Sequence, residues 1–217
     1  MEPISLASKA VGPIKATVQY FWRKWFPPKL GYRMAPSNLL EVICPYVYEG
    51  KVLEVLGQPH ERHDERSAYR FVNALLQIDY EGESVKRVAL VSLRLRWPNR
   101  FRVFPLAHKL GEATFADACE RSGKREIELR TDFSSKFFCL WNERFYGYPG
   151  RYLYYSFALL SAATYPVIEM PAADYEAIDA GHIERGARLL TETAKFNAVM
   201  ISRDEGENFS FDFTLFN

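Results

Sequence analysis

The first residues that could carry chemistry are His60, Glu61, His63 and Asp64, in the stretch "GQPHERHDER". Two imidazoles three positions apart with carboxylates beside them could converge on a turn and hold a divalent ion or pass protons. A zinc site needs three or four ligands, and neither a cysteine nor a third histidine stands nearby. The plainer reading is a solvated loop that carries the chain from a helix into a sheet, so no metal and no cofactor are expected. A second group, Arg94, Arg96, Arg100 and Arg102 around Trp97 and Phe101, mixes cations with stacking rings as single-stranded nucleic-acid binders do. With 28 Lys and Arg against 27 Asp and Glu, a net charge of +1 provides no global field for nucleic acid, and the wet face of a strand accounts for the arginines equally well.

A third group is aromatic. "FYGYPGRYLYYSF" gathers Phe145, Tyr146, Tyr148, Tyr152, Tyr154, Tyr155 and Phe157, rings that give large contact area at low rotamer entropy. Strand alternation sends half of them to a core, and Tyr146, Tyr148, Tyr152 and Tyr154 are the candidates for binding a partner. The fourth is the amphipathic stripe of the first 26 residues, where Val11, Ile14, Val18, Phe21, Trp22 and Trp25 mark the apolar and aromatic side and Lys9, Lys15, Arg23 and Lys24 lie largely off it. Such a segment suits a groove on a protein partner, a second copy of the chain, an anionic membrane surface, or the protein's own sheet. Cys44, Cys119 and Cys139 have no metal-ligand spacing and read as buried thiols of a reducing compartment. GxSxG, P-loop, dinucleotide and HExxH motifs are all missing, which leaves a small hydrolase with distant partners as a lesser alternative.

These groups must be positioned by short elements. Pro13 interrupts the first segment and "FPPKLGYRMAP" connects it to the rest. "SNLLEVIC" predicts a helix capped by Ser37 or Asn38, with Asn38 and Glu41 at capping-box spacing. A second helix over 50–56 ends at Gly57 and Pro59. Three strands follow in "AYRFVN", "LLQIDY" and "VKRVALVSLRLR", the last placing Val85, Ala89, Val91, Leu93 and Leu95 on a buried face opposite a wet one. The order then recurs as a helix from Thr114 and Asp117 and strands in "REIELRT", "KFFCLWNERF" and "RYLYYSFALL". Helices in "DYEAI" and "IERGARLLTETAKF" lead to a hairpin of "NAVMIS" and "FSFDFTLF", whose alternation is the clearest strand signal in the chain.

The fold expected is α+β: short helices on antiparallel meanders in two related units, at 37–104 and 105–165, preceded by the basic segment 1–36 and followed by a helix and hairpin at 166–217. An apolar fraction of 48% supplies a core, and no apolar run is long enough to span a bilayer. Residues 1–36 carry a balance of +5 and residues 172–217 one of −5, so the ends could attract each other.

Val55, Leu56, Gly57, Pro59, Tyr69, Phe71, Gly82 and Val88 carry a resemblance to the BamE-like (SmpA/OmlA-like) family over about 50–92, echoed over 112–160. The resemblance implies a helix ending in a Leu-Gly-x-Pro corner before a meander, and a non-enzymatic, protein-binding scaffold. Family members are largely envelope lipoproteins, whereas this chain shows neither a lipobox cysteine nor an export signal. The expectation is therefore a bacterial cytoplasmic scaffold that binds a protein partner or its own copy through the N-terminal segment and an aromatic sheet surface. A peripheral placement on the inner membrane is the alternative.

Overall fold

Leu75, Leu76, Ile78, Val88, Ala89, Leu90 and Val91 form near-continuous apolar runs, the pattern of strands covered on both sides. In the computed structural model, which describes residues 33–95, 100–104, 106, 108–122, 129–134, 137–147, 150–163, 165, 168 and 194–216, they form the middle of an eight-stranded antiparallel sheet. Its strands are β1 Glu61–His63, β2 Arg66–Arg70, β3 Ala74–Glu81, β4 Ser84–Ser92, β5 Arg130–Ser134, β6 Phe137–Phe145, β7 Tyr154–Ala162 and β8 Ala198–Ser202, in the spatial order β1-β2-β3-β4-β8-β7-β6-β5. Three helices accompany them: α1 Leu39–Val42, α2 Glu49–Leu56 and α3 Phe115–Ser122. The α+β class and the meander β2-β3-β4 follow the sequence pattern. A single continuous sheet joins all eight strands.

β8 lies between β4 and β7, pairing Val88 with Ile201 and Tyr155 with Ile201. Both of its edges are therefore occupied. This explains why "FSFDFTLF" departs from the expected hairpin: a strand next to β8 has no free ladder to join. The phenylalanines lie instead across the sheet face, where Phe209, Phe213, Leu215 and Phe216 are buried, and the segment ends in a 3-10 turn over Phe213–Phe216. The rings of Phe211 and Phe216 stack at 5.2 Å, and Asp212 Oδ1 accepts hydrogen bonds from the Thr214 amide at 3.0 Å and its hydroxyl at 2.6 Å.

The expected wet face of β4 is also corrected. Asp79 pairs with Arg87 but Tyr80 pairs with Val85, so Lys86 is an extra residue and the register shifts there. Val85, Val88 and Leu90 consequently join one core and Ala89, Val91 and Leu93 the other. The first core lies under the helices, with Leu39, Val52, Phe101 and Phe115 fully buried. The second lies under the C-terminal segment with Tyr165 and Ile168.

α2 ends as its sequence demands. The Gly57 amide donates to Leu53 O at 2.8 Å, and Gly57 has φ 76° and ψ −161°, a region open essentially to glycine alone and different from the left-handed helical cap expected. At α3 the capping box is complete: the Thr114 amide donates to Asp117 Oδ2 at 2.7 Å and the Asp117 amide to Thr114 Oγ1 at 3.3 Å. The box expected at Asn38 and Glu41 does not form, because α1 is a single turn whose cap makes no side-chain hydrogen bond. The helices expected in "DYEAI" and through most of "IERGARLLTETAKF", and the first part of the "REIELRT" strand, lie outside the described residues.

Candidate functional site

A row of directly paired residues crosses six strands: Arg66, Asp79, Arg87, Ser202, Tyr154 and Phe145. It lies on the face covered further along by the C-terminal segment. Three charged residues begin it, Ser202 stands between, and two aromatic residues end it.

The charged half closes on itself. Asp79, 8% exposed, accepts from Arg66 Nε at 2.8 Å on one oxygen and from Arg87 Nε at 2.7 Å on the other, and Gln77 Nε2 reaches it at 3.1 Å. Arg66 also meets Asp212 at 3.6 Å. The bulge residue Lys86 reaches Asp204 at 2.8 Å and Glu207 at 3.4 Å. Arg66, Asp79, Lys86, Arg87 and Asp212, with His63, Asp64, Glu65, Thr214 and Leu215, line a cleft of about 520 Å³. The ion pairs of Arg66, Lys86 and Arg87 with Asp79, Asp204, Glu207 and Asp212 clasp the C-terminal segment to the sheet, while Asp64 and Glu65 line the cleft without an ion pair among the described residues.

The histidines that opened the sequence reading belong to the rim of this region. His63 lines the cleft and His60 does not. Glu61, Arg62 and His63 are all exposed on the three-residue edge strand β1, which returns to β2 through a two-residue turn with Asp64 at φ 46°. Charge on a very short edge strand prevents another chain from pairing with it. That is the physical reason for the polar run after Gly57 and Pro59. Among the described residues no three of His, Cys, Asp and Glu are gathered to hold a metal ion. His60, His63 and His108 share no hydrogen bond with a serine, threonine or cysteine among those residues.

The aromatic half is built differently. Phe145 stacks on Tyr152 with ring centroids 5.8 Å apart and tilts against Tyr154 at 5.3 Å. The Tyr46 hydroxyl donates to Tyr152 O at 3.3 Å, and the Arg203 guanidinium lies 5.8 Å from the Tyr46 ring centre. Tyr46, Phe145 and Tyr152 are 40–49% exposed, and the nearby Tyr48 is 69% exposed. Tyr46 has φ 75°, a left-handed conformation that costs a bulky residue about 1–2 kcal/mol. It is held there by its amide's bond to Val85 O at 2.9 Å and by Val85's amide returning to Val47 O at 2.8 Å.

Of the expected partner residues, Tyr152 and Tyr154 lie in this patch. Tyr146 does not: its hydroxyl donates to Ala118 O at 2.6 Å and its ring packs edge-on against Tyr155 at 5.2 Å. Tyr148 lies outside the described residues, as do Val11, Ile14, Val18, Phe21, Trp22 and Trp25. Tyr46, Tyr48 and Phe145 are members the sequence candidates lacked. The signal for the first two was the short "PYVY" between two helix patterns, where rings have no amphipathic face to occupy. In the arginine group, Arg96 and Trp97 lie outside the described residues, and Arg94 and Arg102 are exposed. Phe101 is wholly buried, and Arg100 is bonded to Leu95 O and Glu112. The described members therefore make no stacking platform for bases.

Near the patch, burial pushes the Cys44 thiol above its ordinary pKa against the pull of Arg151, whose Nη2 donates to Cys44 Sγ at 2.8 Å. Cys139 is raised as well, by burial and the Asp132 charge. Both are free and buried. Burial also raises Glu143, whose carboxylate accepts the Gly206 amide at 3.2 Å.

No family model matches the chain, and no curated protein matches it in sequence. Among solved structures, an extracellular protein containing a SCP domain from Bacillus anthracis str. Ames aligns at TM-score 0.38 and 10% identity, covering 82% of this chain and 49% of its own. A cysteine-rich secretory protein from Staphylococcus aureus subsp. aureus Mu50 aligns at TM-score 0.41 and 11% identity, with the same two shares. The chain spans about half the length of each. At these TM-scores neither likeness carries a function across. The BamE-like resemblance is overturned: these neighbours are SCP-domain and cysteine-rich secretory proteins, no family model supports it, and its helix and meander form one side of a continuous eight-stranded sheet. Both neighbours are described as extracellular or secretory, which runs against the cytoplasmic or inner-membrane placement expected from the sequence. That placement is withdrawn.

Proposed function

We propose that the protein is a non-catalytic interaction module that docks a protein partner on the aromatic end of its sheet. The observation that carries this reading is Tyr46: a ring kept exposed by a strained backbone, joined to Tyr152, Phe145 and Tyr154 in one surface. Strain of this kind persists only where surrounding contacts enforce it, and it gathers at functional sites. Aromatic side chains lose little rotamer freedom when covered and dominate docking energetics. A helix with antiparallel strands stands on each side of β8, and we take the two sides as related units whose junction presents this surface.

The test is copurification of a stoichiometric partner with the wild type, with Tyr152→Ala/Tyr154→Ala, and with Arg94→Ala/Arg102→Ala. The tyrosine pair is expected to lose the partner while melting as the wild type does, and the arginine pair to keep it. Retention by the tyrosine variant, or loss by the arginine variant alone, overturns the reading.

A further inference from the structure

The sheet has two edges, and they are finished differently. β1 is blunted: it has three residues, all exposed and none apolar. β5 is longer and its charges are mixed. It runs over Arg130–Ser134 in unbroken register with β6, from Arg130 opposite Trp141 to Ser134 opposite Phe137. Among the described residues no backbone hydrogen bond reaches its outer side. A strand edge in that state is a template for another strand.

The strand's own sequence selects its partner. Leu129-Arg130-Thr131-Asp132-Phe133 is palindromic in type: apolar, charged, threonine, oppositely charged, apolar. Arg130 lies opposite Trp141 and Asp132 opposite Cys139, so both stand on the face of the second core, and Thr131, opposite Leu140, stands on the other. A two-fold axis perpendicular to a continuous sheet keeps every residue on its own face, so two copies can pair only in registers centred on a residue. Centred on Arg130 or on Asp132, like charges meet on the axis. Centred on Thr131, each Arg130 faces Asp132 of the second copy and threonine faces threonine. Opposite charges and threonine pairs are favourable cross-strand neighbours, whereas like charges repel. Asp132 is exposed. Arg130 also bears on Glu143, which a guanidinium with five donors permits alongside a second carboxylate.

We propose that two copies of the chain pair antiparallel through β5, centred on Thr131, and continue the sheet across a two-fold axis. β5 pairs with β6 only from Phe137 to Trp141 and does not reach Phe145, so the inference stands apart from the docking reading and neither depends on the other.

Sedimentation equilibrium of the full chain over a concentration series tests it, with a reversible dimer expected for the wild type. Asp132→Arg sets arginine against arginine twice and is expected to raise the dimer dissociation constant about ten-fold or more. Arg130→Asp/Asp132→Arg restores the complementarity and with it the dimer. Cross-linking reads the register. Thr131→Cys places two Cα atoms about 4.5–5.5 Å apart, within disulfide reach, and is expected to give a covalent dimer with oxidised glutathione. Asp132→Cys lies roughly 8 Å from its copy and is expected to give none. A chain that stays monomeric at every concentration overturns the pairing, as does a dimer that Asp132→Arg leaves unchanged or that position 132 bridges in place of position 131. Where the charge variants fail to fold, the bridge at position 131 decides alone, and its absence overturns the pairing.

Discussion

One row of the sheet holds two opposite solutions to a polar surface. On β2, β3 and β4, Arg66, Asp79 and Arg87 satisfy each other across the strands. On β7 and β6, a half-buried Tyr154 and an exposed Phe145 continue the row into a surface of rings. Spent charge holds a fold together and unspent surface meets partners, so the cleft is the structural half.

The difference can be broken most forcefully at Asp79. Asp79→Ala leaves two guanidinium groups without their shared carboxylate and is expected to cost about 3 kcal/mol, which lowers the melting temperature by roughly 6–12 °C in a thermal unfolding scan. Tyr152→Ala reverses the pattern. It is expected to weaken partner docking by about 2 kcal/mol, some 30-fold, in a binding titration, with stability changed by no more than about 0.5 kcal/mol.

Tyr46→Gly sharpens the contrast further, because it removes both strain and ring. Stability is expected to rise by about 1 kcal/mol while docking falls, a trade that an ordinary surface residue does not show. Glu143→Gln isolates the buried carboxylate. A carboxyl whose folded pKa is raised loses stabilisation as pH climbs from its unfolded value, near 4.5, to the raised one, and the loss persists above that. The glutamine variant is therefore expected to melt higher than wild type near neutral pH and equal to it in acid below the unfolded value. The smallest effect belongs to Lys51→Ala, which removes an exposed pair with Glu54 at 2.9 Å and is expected to cost about 0.3 kcal/mol.

Local grammar was legible in the sequence where one residue decides the backbone. Gly57 with Pro59 ended α2, Thr114 and Asp117 capped α3, and the aromatic and aliphatic runs of β2 and β3 announced the meander. The faces of β4 were not, because a single extra residue at Lys86 turns every later side chain over. The last phenylalanines misled for a similar reason: "FSFDFTLF" alternates as a strand does, but pairing is settled by β8 entering between β4 and β7, a long-range event that spacing does not encode. At the site, alternation led to the expectation that half of the tyrosine run faces a core, where Tyr155 and Phe157 lie, but Tyr146 was placed among the outward candidates and Phe145 was not. Tyr46 escaped because its exposure comes from a positive φ fixed by Val85, a contact between separated segments.

A photo-cross-linking residue placed at position 152, compared with one at position 63 on the rim of the charged cleft, tests the central distinction most directly. The account predicts a discrete adduct to a partner from position 152 and none from position 63. Equal adducts from the two positions, or an adduct from position 63 alone, would contradict it.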